Sequence, residues 1–129
     1  MTESRSVTGG CLCGGVRYRL TGELRDVVNC FCQQCQKTSG HHVAATRVSN
    51  SGFELLTDDS LSWYRSSEFA ERGFCTKCGG NLFWRRIESD KISIMAGTID
   101  HPTGLQTTEN IFTEDKSDYH ELPEVTKAY

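Results

Sequence analysis

Apolar and polar positions alternate over short runs along this chain, and that pattern predicts a domain built mainly from short β-strands. Val16 to Leu20 reads as a half-buried strand ending at Thr21-Gly22, and Asp26 to Asn29 as a second, shorter one. Gln33 to Ser39 suits a brief helical turn stopped by Gly40. His42 to Val48 and Phe53 to Leu56 read as strands joined by a turn at Ser49 to Gly52. Leu61 to Arg65 follows the Asp58 to Ser60 turn as another strand, and a loop is expected from Ser66 to Phe74. Asn81 to Arg85 and Lys91 to Ala96 then form a hairpin over Ile87 to Asp90, with a turn at Asp100 to Gly104. Residues 1–7 read as a frayed leader, and Asn110 to Tyr129 as a polar tail anchored by Ile111, Phe112 and Tyr119. The whole of 1–129 is expected to be one mainly β domain, with its function carried on loops.

Composition changes this picture at one point, the cysteines. All seven fall in three clusters: Cys11/Cys13, Cys30/Cys32/Cys35 and Cys75/Cys78. An odd count speaks against a closed set of disulfides. The opening residues lack the apolar core of a signal peptide, and no run approaches a membrane span, so a cytoplasmic protein with no membrane association is expected. In that compartment clustered thiols bind metal or perform catalysis. The net charge of −3 gives no reason to expect a nucleic-acid partner.

Two separated cysteine pairs commonly build a four-thiolate zinc site. Cys75 and Cys78 are spaced for a tight turn, whereas Cys11 and Cys13 would point to opposite faces of a flat strand. Gly14-Gly15 allows the bend that brings them together, and it matches Gly79-Gly80 behind the other pair. A closed structural site of Cys11, Cys13, Cys75 and Cys78 is therefore expected. Cys30, Cys32 and Cys35 remain, one ligand short of a tetrahedral zinc, which is the pattern of a catalytic metal with an open position. A histidine or carboxylate completing that set would instead make it structural. A thioredoxin-like redox role for Cys75/Cys78 lacks its βαβ context.

The order Gly9 to Tyr18 (Gly-x-Cys-x-Cys-Gly-Gly-Val-Arg-Tyr), Cys30 to Gly40 (Cys-x-Cys-x-x-Cys-x-Lys-x-Ser-Gly) and Arg72 to Gly79 (Arg-x-Phe-Cys-x-x-Cys-Gly) resembles the glutathione-dependent formaldehyde-activating enzyme family, which also includes centromere protein V. Leu61 to Ser67, Ala96 to Asp100, and Ile111-Phe112 with Lys116 add to the resemblance, which covers about residues 8–123. It implies a β-tent of small antiparallel sheets stapled by zinc. A structural zinc would sit on the first and last pairs, and a second on Cys30, Cys32 and Cys35. The implied activity is that of a carbon–sulfur lyase joining a small thiol such as glutathione to formaldehyde, as S-hydroxymethylglutathione. Departures occur at His41-His42, at Asn110-Ile111-Phe112 and at Tyr119, so they bear on the substrate more than on the metal.

His41 or His42 is close enough in sequence to the central cluster to act as acid, base or fourth ligand. His101 is read as turn chemistry and His120 as surface. Arg17, Arg19, Arg65, Arg72, Arg85 and Arg86 are candidates for a substrate carboxylate, and Lys37 for offsetting thiolate charge. Trp63, Phe83 and Trp84 suit core or cleft wall. A zinc-stapled binding module without catalysis and a thiol or metal sensor are the alternatives to an enzyme.

Overall fold

A computed structural model describes residues 6–128. Ser6 and Val7, expected in the leader, open the first strand; the rest of that stretch lies outside the described residues. Strands β1 (Ser6–Gly10), β2 (Arg17–Thr21) and β5 (Phe53–Thr57) form a small antiparallel sheet in the order β1-β2-β5. The larger sheet contains β3 (Val27–Cys30), β4 (Val43–Ser49), β6 (Leu61–Arg65), β7 (Ala70–Cys75), β8 (Asn81–Arg86), β9 (Lys91–Met95), β10 (Thr107–Ile111) and β11 (Lys127–Ala128). Its order is β11-β10-β3-β4-β9-β8-β7-β6. Pairing is antiparallel except around β10, which lies parallel to both β3 and β11. The one α-helix among the described residues, α1 (Gln33–Ser39), links β3 to β4. The mainly β reading holds. Among the described residues no helix is long and apolar enough to cross a membrane.

The core lies between the two sheets. Alternation on β2 sends Tyr18 and Leu20 inward, and on β9 it sends Ile92 and Ile94 inward, all essentially fully buried. Tyr18 and Phe53 meet Phe83 edge-on, with ring centroids 5.4 and 5.0 Å away. Each such side chain stabilises the fold by about 1.5–3 kcal/mol through burial. The Tyr18 hydroxyl stays satisfied inside by a 2.6 Å hydrogen bond with Thr98, and burial pushes its pKa up to about 12.

Two regions differ from the sequence expectation. The loop expected from Ser66 to Phe74 is short, because Ala70–Cys75 is β7, paired on both edges with β6 and β8. Gly73 disguises it. A Cβ there would come within 2.8 Å of the Phe83 ring and 3.1 Å of Trp63, so the stacked Trp63–Phe83 pair admits only glycine beneath it.

The polar tail starts within β10, whose sequence Thr-Thr-Glu-Asn-Ile has no apolar alternation to announce a strand. Its buried residue is Asn110, 1% exposed, bonded to Asn29 of β3 at 3.0 Å and to the Pro123 carbonyl at 2.9 Å. Phe112 and Tyr119, expected as anchors, are more than half exposed, whereas His120, expected at the surface, is buried.

Candidate metal and thiol site

The chain turns sharply after β1 and again after β7, with Gly14 at φ 82° and Gly79 at φ 76° supplying the left-handed residue in each turn. Those turns bring Cys11, Cys13, Cys75 and Cys78 together, with all four sulfurs within 4.8 Å of one another. Cys13 Sγ lies 3.7 Å from Cys11 Sγ and 3.6 Å from Cys75 Sγ. A tetrahedral zinc with bonds of about 2.3 Å needs sulfurs about 3.8 Å apart, so these residues fit that ion.

The backbone is arranged to receive negative sulfur. Val16 N–H donates to Cys11 Sγ at 3.3 Å, and Lys77 and Cys78 N–H both donate to Cys75 Sγ at 3.4 Å. Ser60 Oγ lies 3.1 Å from the same buried sulfur and leads the causes that lower the Cys75 thiol to about 5. Cys13, more exposed, is lowered by the Gly15 N–H but raised further by sharing hydrogen bonds with Cys75 and Cys11, ending at about 11.

The second cluster forms where β3 ends. Cys30 is its last residue, Cys32 caps α1 by accepting the Cys35 N–H at 3.4 Å, and Cys35 faces inward from the first turn, 6% exposed. The helix ends as expected at Gly40, whose N–H reaches the Gln36 carbonyl at 2.8 Å. The three sulfurs also lie within 4.8 Å of one another. Here one thiol supports its neighbour at its own expense. The hydrogen bond between Cys35 and Cys30 lowers Cys30 and raises Cys35 strongly, while burial raises Cys32. Three sulfurs gathered this closely suit a cation between them.

These cysteines lie in a cleft of about 470 Å³. One wall is apolar, with Val43, Ala45, Trp84 and Met95. Arg25, Arg47, Arg72 and Arg86 also line the cleft, and no aspartate or glutamate does. The sequence had singled out Arg72 and Arg86. Three of its other candidates are engaged elsewhere: Arg17 with Asp100 at 2.7 Å, Arg19 with Glu54 at 3.2 Å and Arg85 with Glu71 at 2.7 Å. Arg65 bonds the carbonyls of Ser67 and Glu68.

Arg25 and Arg47 were missed. The signal that finds them is strand register: Val28 faces Ala45 across β3 and β4, which sets Arg25 beside Arg47 at the strand ends. No ion pair engages either among the described residues; Arg25 donates to the Asp26 and Ala45 carbonyls at 3.3 and 3.0 Å, and burial, then the Arg47 charge, lowers it against the pull of Glu109.

The histidines gather elsewhere. His41, His42 and His120 bring ring nitrogens within 4.8 Å of one another, but none of them lines the cysteine cleft. His42 and His120 pack on Phe31, and His120 stacks on His41 and Tyr119. His120 Nδ1 accepts the Ser117 N–H at 2.9 Å, which leaves Nε2–H to donate to the His41 carbonyl at 3.2 Å. Both its nitrogens are thus committed, Nδ1 to a turn within the tail and Nε2 to holding the tail on the loop before β4. Lys37 and His101 are exposed and off the cleft.

Fold and site together define a cysteine-clustered β domain, with a closed four-sulfur set and a three-sulfur set in a basic cleft. The chain belongs to the glutathione-dependent formaldehyde-activating enzyme family, whose model it matches over residues 6–115. It is 28% identical over 76 residues to an uncharacterized lyase of Schizosaccharomyces pombe; the match takes in 59% of this chain and 55% of the relative, about half that protein's length. The fold is similar to a crystal structure of a Rhodobacter sphaeroides protein, with a TM-score of 0.60 and 21% identity, over 78% of this chain and 99% of the other.

Proposed function

We propose that this protein is a cytoplasmic, zinc-dependent carbon–sulfur lyase acting on the adduct of a small anionic thiol with an aldehyde, such as S-hydroxymethylglutathione. The observation that carries the reading is the meeting of Cys30, Cys32 and Cys35 with Arg25, Arg47 and Arg86 in a cleft without acidic residues. Cys11, Cys13, Cys75 and Cys78 would hold one zinc for structure, and the three central cysteines a second, giving two per chain. At the central set zinc would supply a cation beside which a bound thiol stays deprotonated near neutral pH.

The chain's own residues do the rest. Arg25, Arg47 and Arg86 attract and orient the carboxylates of the thiol, so that its sulfur points toward the cysteines. Trp84 and Met95 cover the reacting end and limit water there. In the synthetic direction a C–S bond forms from the thiolate sulfur to the carbonyl carbon. The carbonyl π pair moves to oxygen, which takes one proton. The lyase direction reverses each of these.

The match to the formaldehyde-activating family and the lyase name of the yeast relative support the reaction class. The test has two parts. Elemental analysis of reduced protein is expected to give two zinc per chain. Exchange spectroscopy on mixtures of glutathione and formaldehyde is expected to show adduct formation accelerated by the protein and lost in Cys32→Ser. Two zinc without acceleration for any thiol–aldehyde pair would sink the enzyme reading and favour a zinc-stapled binding module.

A further inference from the structure

Arg72 is a buried cation without a carboxylate. It lies on β7 with 5% of its surface exposed, and no ion pair engages it among the described residues. Its Nη2 is 3.9 Å from Cys35 Sγ and 3.3 Å from Gln34 Oε1, and its buried Nε has no hydrogen-bond partner. A guanidinium does not escape burial by losing its proton, so it must be matched by an anion. Gln34 is neutral. The partner of Arg72 that can carry negative charge is Cys35, one of the three central cysteines.

We propose that Arg72 is the counter-charge of the three-cysteine metal centre, a positioning residue that sets its affinity for a divalent ion. This rests on the reading that Cys30, Cys32 and Cys35 bind such an ion. Three thiolates and one divalent cation sum to a single negative charge, and one buried guanidinium cancels it. The contrast with the first cluster supports the assignment. There, backbone N–H groups from Val16, Lys77 and Cys78 surround the sulfurs, and among the described residues no guanidinium hydrogen-bonds to them. The central cluster receives the Cys35 N–H on Cys32 and the Cys32 N–H on Cys30, and its buried sulfur, that of Cys35, faces the Arg72 guanidinium. Arg72 therefore differs in task from Arg25, Arg47 and Arg86, which remain available to a substrate.

The test is a zinc titration against a chromophoric chelator, comparing the reduced wild-type protein with Arg72→Met, Arg72→Gln and Arg72→Lys. Zinc at the first cluster, together with near-ultraviolet circular dichroism, reports whether each variant is folded. The two neutral variants are expected to keep the first equivalent at wild-type affinity and to bind the second 10- to 100-fold more weakly, the range for removing an outer partner of a metal ligand. Arg72→Lys, which keeps the charge, is expected to recover most of the loss. A second equivalent held at wild-type affinity by a folded neutral variant overturns the proposal, since a residue that merely packs the strand would leave affinity unchanged. A wild-type protein that binds only one equivalent would instead remove the underlying metal reading and the inference with it. If only Arg72→Lys folds, wild-type affinity in that variant supports the charge role, and a loss equal to removal of Cys35 overturns it.

Discussion

The two cysteine clusters place the same atom, a thiol sulfur, in opposite settings. The first joins residues far apart in sequence, Cys13 and Cys75 being 62 positions apart, and is wrapped in backbone donors at the edge of the main core. The second is assembled locally from the end of one strand and one turn of helix, in an open cleft beside arginines. A long-range site constrains the fold. A local site at a cleft floor can lose its ion while the sheets around it persist. On the function proposed above, structure and chemistry are divided between two sets of the same residue.

Mutations test that division, and the largest effect is expected at Cys75. Structural zinc contributes on the order of 10–16 kcal/mol in small domains, comparable to the whole stability of a protein this size. Cys75→Ser is therefore expected to abolish the cooperative thermal transition seen by circular dichroism; a melt within a few degrees of wild type would dissolve the contrast. Cys32→Ser should do the reverse. Its melt should stay close to wild type while one zinc equivalent is lost and activity falls by on the order of 100-fold or more, the upper range for outer partners being a lower bound for a ligand. Unfolding of Cys32→Ser would make the second cluster structural as well.

Smaller effects should sharpen the same distinction. Asn110→Ala strands the amide of Asn29, next to Cys30, and is expected to cost about 1–3 kcal/mol in denaturant melts while loosening the second cluster first. Ser60→Ala removes the hydroxyl beside Cys75, with an expected loss of about 1 kcal/mol and weaker zinc at the first cluster only. The smallest effect concerns pH. Burial, then the neighbouring His41 and His120, hold His42 below its ordinary value. The unfolded chain therefore binds that proton more readily, and stability present above about pH 6.5 is lost as pH falls below it. His42→Gln should flatten that slope between pH 7 and 5. An unchanged slope would assign the acid sensitivity elsewhere.

What the sequence made legible follows from the range of each interaction. Cys32, Cys35 and Gly40 are within a few residues of one another, so the short helix and its cluster can be read directly. The partnership of Cys11/Cys13 with Cys75/Cys78 is long-range, but a tetrahedral ion's need for four ligands, with the matching glycine pairs, makes it readable from sequence. Arg25 and Arg47 lack that advantage, because only the register of β3 on β4 brings them together. Arg72 is harder still: the sequence offers it only as one of several arginines for a substrate carboxylate, and its burial beside Cys35 emerges once β7 is found between β6 and β8. In β10 the buried side chain is an asparagine, and in the tail a histidine, so both burial events are written in residues that ordinarily mark the surface.

The parallel seating of β10 against β3 has a consequence for biogenesis. A chain emerging from the ribosome would complete the hairpins from β6 to β9 and both halves of the first cluster well before residues 107–111 appear. Until then β3, with Val27, Val28 and the first cysteine of the second cluster, is an open edge, and its partner must come from a distant part of the chain. The nascent protein thus acquires its scaffold early and its central cysteines a finished setting last. During that interval the exposed strand would be the part of the molecule most in need of a chaperone.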